Sequence, residues 1–326
     1  MRLRTRLTDR LGIEHPILLA PMNVFTGGKL AAAVSNAGGL GLIGGGYGDA
    51  EWLEREFAAA GDARVGCGFI TWSMARDPRL LEWVLDRNPA AVMLSFGELG
   101  PHASRIKARA VPLICQVQGM KYLREAVDAG ADVIVAEGNE AGGHSGYRGV
   151  FTLVPEAADY LAAHAPGTVL VAAGGVGDGR GLAAALMLGA DGVLVGTRFV
   201  ASRESEAPES FREAIVRNDG DSTVKSRSVD VARRRHWPNP EFVIRVLKNG
   251  FVAKWHGRER EMEKDIDVEQ ERFWKAFLAG DAENTGVLMG EVSGIIRDAP
   301  PAGDIVASMV AQACKLLGTH SPFVVE

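Results

Sequence analysis

The stretch DAGADVIVAEG, Asp128 to Gly138, returns as MLGADGVLVGT at Met187 to Thr197. Each copy reads as a helix end, a Gly-Ala-Asp turn, a short apolar strand and a glycine or Gly-Thr at the strand's carboxyl end. The same alternation extends in both directions along the chain. Apolar runs too short for a helical period occur at Pro16–Leu19, Leu40–Ile43, Val65–Phe69, Ala91–Leu94, Pro112–Cys115, Val133–Val135, Val169–Ala172 and Val193–Val195. Most are separated by segments with helical apolar spacing, namely Trp52–Ala60, Arg79–Leu85, Lys121–Ala129, Ala157–Ala163 and Gly181–Leu188. Strands alternating with helices predict an α/β fold with a parallel sheet, and about eight such units predict a closed (β/α)8 TIM barrel. The alternative is an open doubly wound sheet, but no GxGxxG with a following acidic residue marks the first βα turn.

After Arg203 the texture changes. From about Ala207 to Ile295 the chain is rich in charge and tryptophan, carries the helical segment Asp267–Leu278, and loses the alternation. This predicts a barrel over 1–206, a small, mainly helical domain inserted after the eighth strand over 207–298, and a C-terminal helix over 299–326 that returns to the barrel. Ile305–Leu317 supplies its helical apolar spacing, and APPAGD, Ala299–Asp304, the turn before it.

A chain of 326 residues, 47% hydrophobic, can bury a sizeable core. A formal net charge of −5 offers no broad basic field, so neither nucleic acid nor an anionic membrane is the expected partner. The local cluster Arg233-Arg234-Arg235-His236 reads as a solvated face. Cys67, Cys115 and Cys314 lack disulfide or zinc-ligand spacing, so no metal site is expected, and Cys67 and Cys115 read as buried thiols. No long apolar segment follows the charged start of the chain, which makes the cytoplasm the expected location.

A barrel carries its chemistry at the carboxyl ends of its strands. Glycine-bearing ends stand there as LAPMNVFTGG, VAEGNEAGGHSG, VAAGGVGDG and LVGTRFVAS, after the first, sixth, seventh and eighth strands. Gly174, Gly175, Gly196 and Thr197 can offer backbone N–H groups to a phosphate, with the dipole of the helix opening near Asp178 or Gly179 behind them. The residues do not say whether that phosphate belongs to a substrate or a cofactor.

The motifs LLAPMN at Leu18–Asn23, EAGGHSG at Glu140–Gly146, AAGGVGDGRGLAAALMLGADGVLVGTRF at Ala172–Phe199 and GEVSGIIRDAPPAGDIV at Gly290–Val306 resemble those of the nitronate monooxygenase family. That family, formerly grouped as 2-nitropropane dioxygenases, consists of FMN-dependent barrel enzymes. The resemblance spans nearly the whole chain and is weakest within the helical domain. It implies FMN, with its phosphate on Gly174, Gly175, Gly196 and Thr197 and its ring against Ala20, Pro21 and Met22. Ala141, Gly142, Gly143, Gln116 and Glu137 complete the implied cofactor surroundings.

His144 matches the family's catalytic histidine. An imidazole can remove a proton from carbon beside a nitro group, and a flavin beside it can accept electrons from the same substrate. The other histidines, His15, His102, His164, His236, His256 and His320, have no such setting. The implied reaction takes an alkyl nitronate or nitroalkane and O2 to a carbonyl compound and nitrite, with Ser293 as a polar contact for the substrate. Glu137, Gln116 and Glu291 depart from residues common at these positions, and a carboxylate at 137 disfavours an anionic substrate unless it is neutralised.

The same fold and histidine motif occur in flavin-dependent enoyl reductases and quinone reductases, which use NAD(P)H. Some related proteins act on acyl-CoA or polyketide intermediates. A reductase is therefore the alternative, with Arg233–Arg235 as a contact for a phosphorylated carrier or nucleotide. A non-redox isomerase or aldolase fits less well, because no strand end carries a Schiff-base lysine. The expected partners are a small-molecule substrate and O2, with homo-oligomerisation left open.

Overall fold

The computed structural model describes residues 2–318, so His320 and the last residues of the expected C-terminal segment lie outside the described part. The strands are β1 (Ile17–Leu19), β2 (Leu42–Gly46), β3 (Gly66–Ile70), β4 (Val92–Ser95), β5 (Leu113–Val117), β6 (Val133–Glu137), β7 (Gly143–Ser145), β8 (Val169–Ala173), β9 (Val193–Val195), β10 (Thr223–Lys225) and β11 (Val243–Leu247). Eight of them form one parallel sheet in the order β1-β9-β8-β6-β5-β4-β3-β2. A parallel bridge between Leu18 and Leu40 joins its two ends, with Leu19 N–H donating to Leu40 O at 2.9 Å. The result is the TIM barrel expected from the eight apolar runs.

Alternation along each strand divides the core. Leu18, Met93, Ile114, Val133, Val135, Val169 and Val171 fill the barrel interior, while Ile17, Leu19, Cys67, Leu94, Cys115 and Ile134 face the helices. The short helix Arg6–Leu11, capped by Thr5, adds Leu7 and Leu11 to the interior cluster. The helix Ala302–Gly318 packs against the helices Gly179–Met187 and Gly28–Asn36, completing the outer ring between the last strand and the first. All three cysteines are buried and free. Among the described residues no helix is long and apolar enough to cross a membrane.

The repeated Gly-Ala-Asp turn has a physical basis. Gly130 and Gly189 adopt φ of +72° and +97°, a left-handed conformation that lets the helix end turn into the strand. The aspartate then ties its strand to the neighbour: Asp132 accepts from Leu113 N–H at 2.9 Å, and Asp191 accepts from Leu170 N–H at 3.0 Å.

The segment after β9 contains the helices Glu209–Arg217, Ser228–Ala232, Gly250–Trp255 and Ile266–Leu278. It also contains β10 and β11, which the sequence reading did not separate from the helical texture. Those strands join β7 in an antiparallel sheet of order β10-β11-β7, so the inserted segment is fastened to the loop that leaves β6.

Asp191 also pairs with Arg6 at 2.8 Å, so Asp191→Ala removes a carboxylate that holds both a strand and the N-terminal helix. We expect the variant to lose about 1–3 kcal/mol of unfolding free energy, read from denaturant midpoints.

Candidate active site

A cavity of about 250 Å³ opens at the carboxyl ends of the barrel strands. Ala20, Pro21, Met22, Gln116, Glu137, Ala141, Gly142, Gly143, His144, Gly174, Gly175, Gly196 and Thr197 all line it, so the structure gathers thirteen of the fourteen sequence-predicted residues on one wall system. Ser293 is the exception. It is fully buried, its hydroxyl has no hydrogen-bond partner, and it is the neighbouring Val292 that reaches the cavity.

His144 lies on β7 rather than in a loop. It stands opposite Ile244 of β11, with Gly143 opposite Arg245 and Ser145 opposite Val243. Side chains clamp this backbone from both sides. The Lys225 ammonium donates to the carbonyls of Ser145, at 3.1 Å, and Gly146, while Arg245 donates to Asn139 O at 3.0 Å and pairs with Glu291 at 2.9 Å.

The imidazole is equally constrained. Its Nε2 is 2.7 Å from Asp230 Oδ2, and its ring stacks on Trp237 with centroids 3.6 Å apart and planes 20° apart. With the Asp230 carboxylate accepting, the hydrogen sits on Nε2 and the lone pair on Nδ1. Burial lowers the His144 pKa from its ordinary value, against the opposing pull of Asp230, which favours the neutral base. Phe96, at a left-handed φ of +58° after β4, packs edge-on against Trp237 at 5.0 Å. Phe96, Trp237 and His144 thus form one aromatic cluster in the cavity wall.

The glycine floor serves two purposes. Gly174 and Gly175 adopt φ of +98° and +72° and line the cavity, giving bare backbone at the end of β8 beside Gly196 and Thr197 at the end of β9. That cradle fits a phosphate. At Gly142, by contrast, the constraint is internal: a Cβ there would lie 2.6 Å from Gly290 N, because the returning segment packs directly on the β6 loop. Gly290 N–H also donates to Thr197 Oγ1 at 3.0 Å, linking the two segments to the cradle.

The helix behind the cradle opens with its N–H groups engaged. The first N–H groups of Gly179–Met187 are already used, with Gly179 donating to Gln312 at 2.7 Å and Arg180 and Gly181 donating to Asp178. Direct hydrogen bonds to a phosphate would therefore come from the two strand ends, with the helix acting through its dipole alone. The basic cluster also departs from expectation. Arg234 is exposed and pairs with Asp267, but Arg233 and Arg235 are half-buried over Tyr47, and Arg233 lines the cavity.

Glu137 resolves the question its charge raised. The side chain is buried and accepts from Gln118 at 3.0 Å, and burial pushes its pKa up to about 7 against the hydrogen bonds of Gln118 and Gln116 and the charge of Lys225. It is not a fixed negative charge at neutral pH. Lys225, for its part, is pushed down to about 8 chiefly by burial.

Asp230 and Trp237 were not legible as site residues, since their partner lies far away in sequence and neither sits in a distinctive motif. Tyr47, Phe96 and Lys225 share that fate. Phe96 alone carried a local hint, in the Ser-Phe-Gly that ends its strand.

Comparison with known proteins places this geometry. The family model described as nitronate monooxygenase matches residues 4–64 and 69–312. A nitronate monooxygenase of Neurospora crassa is 33% identical, with 92% of this chain and 89% of that protein covered. A protein of Rhodococcus jostii, (3aS,4S,5R,7aS)-5-hydroxy-7a-methyl-1-oxo-octahydro-1H-indene-4-carboxyl-CoA dehydrogenase, is 30% identical with 96% of both chains covered. The structure of FabK from Thermotoga maritima superposes with a TM-score of 0.83 at 32% identity, covering 97% of this chain and 98% of its own.

The raised pKa of Glu137 has a stability consequence. Between the ordinary value of 4.5 and the folded value of about 7 the folded state binds the additional proton, so stability falls as pH rises through that window and stays lower above it. Glu137→Gln removes this loss. Its thermal midpoint should exceed that of the unaltered protein at about pH 8, with the difference vanishing below about pH 4.5.

Proposed function

The chain belongs to the nitronate monooxygenase family of flavin-dependent oxidoreductases, and from that premise we propose that it binds FMN and oxidises alkyl nitronates and nitroalkanes with O2. The products are a carbonyl compound and nitrite, each nitronate gaining one oxygen atom as its carbon–nitrogen bond breaks. The observation that carries this reading is His144, fixed by Asp230 and Trp237 on the wall of a cavity whose floor is bare glycine backbone.

The chain's residues supply position and proton transfer. Gly174, Gly175, Gly196 and Thr197 hold the phosphate, and Ala20, Pro21 and Met22 support the ring. Bound FMN supplies the electron acceptor for carbon oxidation. His144 removes the α-proton of a neutral nitroalkane through Nδ1, while Asp230 holds the ring in that tautomer and stabilises the imidazolium that forms. Trp237 covers the ring and keeps water from it. A nitronate arrives without that proton, so it needs the base far less.

An NAD(P)H-dependent reductase is the second reading. Arg233 on the cavity wall favours it, since a guanidinium suits a phosphorylated ligand better than a simple nitroalkane.

Anaerobic mixing of the flavin-loaded protein with a nitronate, and separately with NADH or NADPH, distinguishes the two by flavin absorbance. Bleaching by the nitronate is expected; bleaching by reduced nicotinamide alone overturns oxidation in favour of reduction. Mass analysis of the released cofactor distinguishes FMN from other flavins.

His144→Ala should retain flavin and lose about 10²–10⁴-fold in kcat/KM for a neutral nitroalkane, with a much smaller loss for the nitronate. The acid limb of the unaltered profile should lie below 6.5, because burial lowers the His144 pKa. Asp230→Asn should move that limb to still lower pH and reduce the plateau. A purely structural role for Asp230 would leave the position of the limb unchanged.

A further inference from the structure

The helix Ile266–Leu278 stands between two cavities. Phe273, Trp274 and Phe277 line the catalytic cavity, whereas Glu269, Arg272, Lys275 and Ala276 line a second one of about 370 Å³. Helical spacing puts the two sets on adjoining faces, with Phe273 at their border. Among the described residues Phe273 alone lines both cavities. Its buried ring lies between Trp274, 5.6 Å away on the catalytic side, and Phe251, 5.2 Å away in the wall of the second cavity. Ring contacts continue from Trp274 to Phe277 at 5.5 Å and from Phe277 to Phe25 at 6.2 Å. A file of aromatic rings therefore follows the catalytic cavity as far as Phe273 and resumes beyond it at Phe251.

The second cavity continues this apolar character. Phe251, Trp255, Phe273, Ala276 and Ala279 contribute to its walls, and two of the cations beside them are already neutralised. Glu269 pairs with Lys254 at 3.3 Å and with Arg272 at 2.7 Å, and it accepts from Trp255 Nε1 at 3.1 Å. These bonds fix the helix one turn before Phe273 and so stiffen the partition. An apolar chain whose head lies at His144 can bury methylenes against Val229, Phe277 and Leu288 on the near side of that partition. A chain long enough to reach Phe273 must displace a packed phenyl ring to go further, which costs more than the next methylene gains.

We propose that Phe273 sets the length of alkyl chain that the active site accepts, and that the second cavity is the continuation of the substrate channel that its ring closes. This deepens the proposed oxidation by naming its substrate class, nitronates and nitroalkanes on a straight apolar chain of limited length. It rests on that reading only in placing the reacting head at His144. The smallest nitroalkanes leave the apolar part of the catalytic cavity unfilled, whereas a chain ending at Phe273 occupies it.

The test is calorimetric titration of the flavin-loaded protein with straight-chain carboxylates from butanoate to dodecanoate, whose planar anionic head with two oxygens stands in for a nitronate. Affinity for the unaltered protein should rise about fourfold per methylene up to a definite chain length and then stop rising. Phe273→Leu should move that break to longer chains and gain about tenfold or more in affinity for the members past the original break. Adding Ala276→Phe to that variant obstructs the second cavity and should return the break to its original length. Phe273→Met, which replaces the ring by a thinner and more flexible side chain, is the second opening variant. Thermal midpoint and flavin absorbance report whether each variant is folded. The proposal is overturned if no member of the series binds, if affinity for the unaltered protein climbs through the whole series without a break, if the folded opening variants keep the break in place, or if Ala276→Phe fails to restore it. Because turnover does not enter the measurement, a chain-length break without nitronate oxidation leaves the role of Phe273 standing while the oxidation falls.

Discussion

The antiparallel pairing of Gly143–Ser145 with Val243–Arg245 is the constraint on which the site depends. The loop after β6 holds glycine at positions 138, 142, 143 and 146, and so much glycine makes an unpaired loop entropically costly to order. Pairing with β11 turns its centre into a strand, and the Lys225 and Arg245 side chains bind carbonyls on either side. The same ladder has a second effect. Asp230 and Trp237 lie between β10 and β11, so the contact that fixes the backbone of His144 also delivers the carboxylate and the indole that fix its ring.

Burial around this ladder makes the site less charged than its sequence. Glu137 is shifted toward its protonated form, and His144 and Lys225 toward their neutral forms, each primarily by removal from water. Hydrogen bonds from Gln118 and the proximity of Lys225 limit the shift at Glu137, and Asp230 limits it at His144. Arg245 and Glu291 remain a close pair. A neutral imidazole suits removal of a carbon-bound proton, because burial keeps the base form available near neutral pH while Asp230 holds its tautomer.

The barrel was legible because its signals are local. Each run from Pro16–Leu19 to Val193–Val195 overlaps a barrel strand, and Arg79–Leu85 is the helix predicted there. Strand β2 extends past its apolar run through Gly44–Gly46, where residue type gives little indication of a strand, and the helix Val150–His164 runs through Pro155 and so starts well before the predicted Ala157. The inserted segment was less legible. Val243–Leu247 has a β-branched pattern, but β7 is only Gly-His-Ser, and its strand character comes entirely from its partner. Among the site residues, the glycines and His144 stood in compact motifs. Asp230 lies 86 residues from the imidazole it contacts, and no feature of Ser228–Ala232 points there. Ser293 does not line the cavity, and a polar residue beside a glycine gives no indication in the sequence of where its side chain packs.

The contributions of barrel and insertion suggest where substrate choice resides. The barrel provides the glycine cradle, the floor and the Ala20–Met22 end, features that would serve any flavin enzyme of this fold. The insertion provides Arg233, Trp237, Ile244, Phe273 and Trp274 to the cavity lining, with Asp230 hydrogen-bonded to His144. Relatives named as a nitronate monooxygenase and as a carboxyl-CoA dehydrogenase match this chain to nearly the same extent, at 33% and 30% identity. Overall identity therefore does not separate the two chemistries. Substrate choice is therefore to be sought in the residues that the insertion brings to the cavity, because the glycine floor is common to both readings.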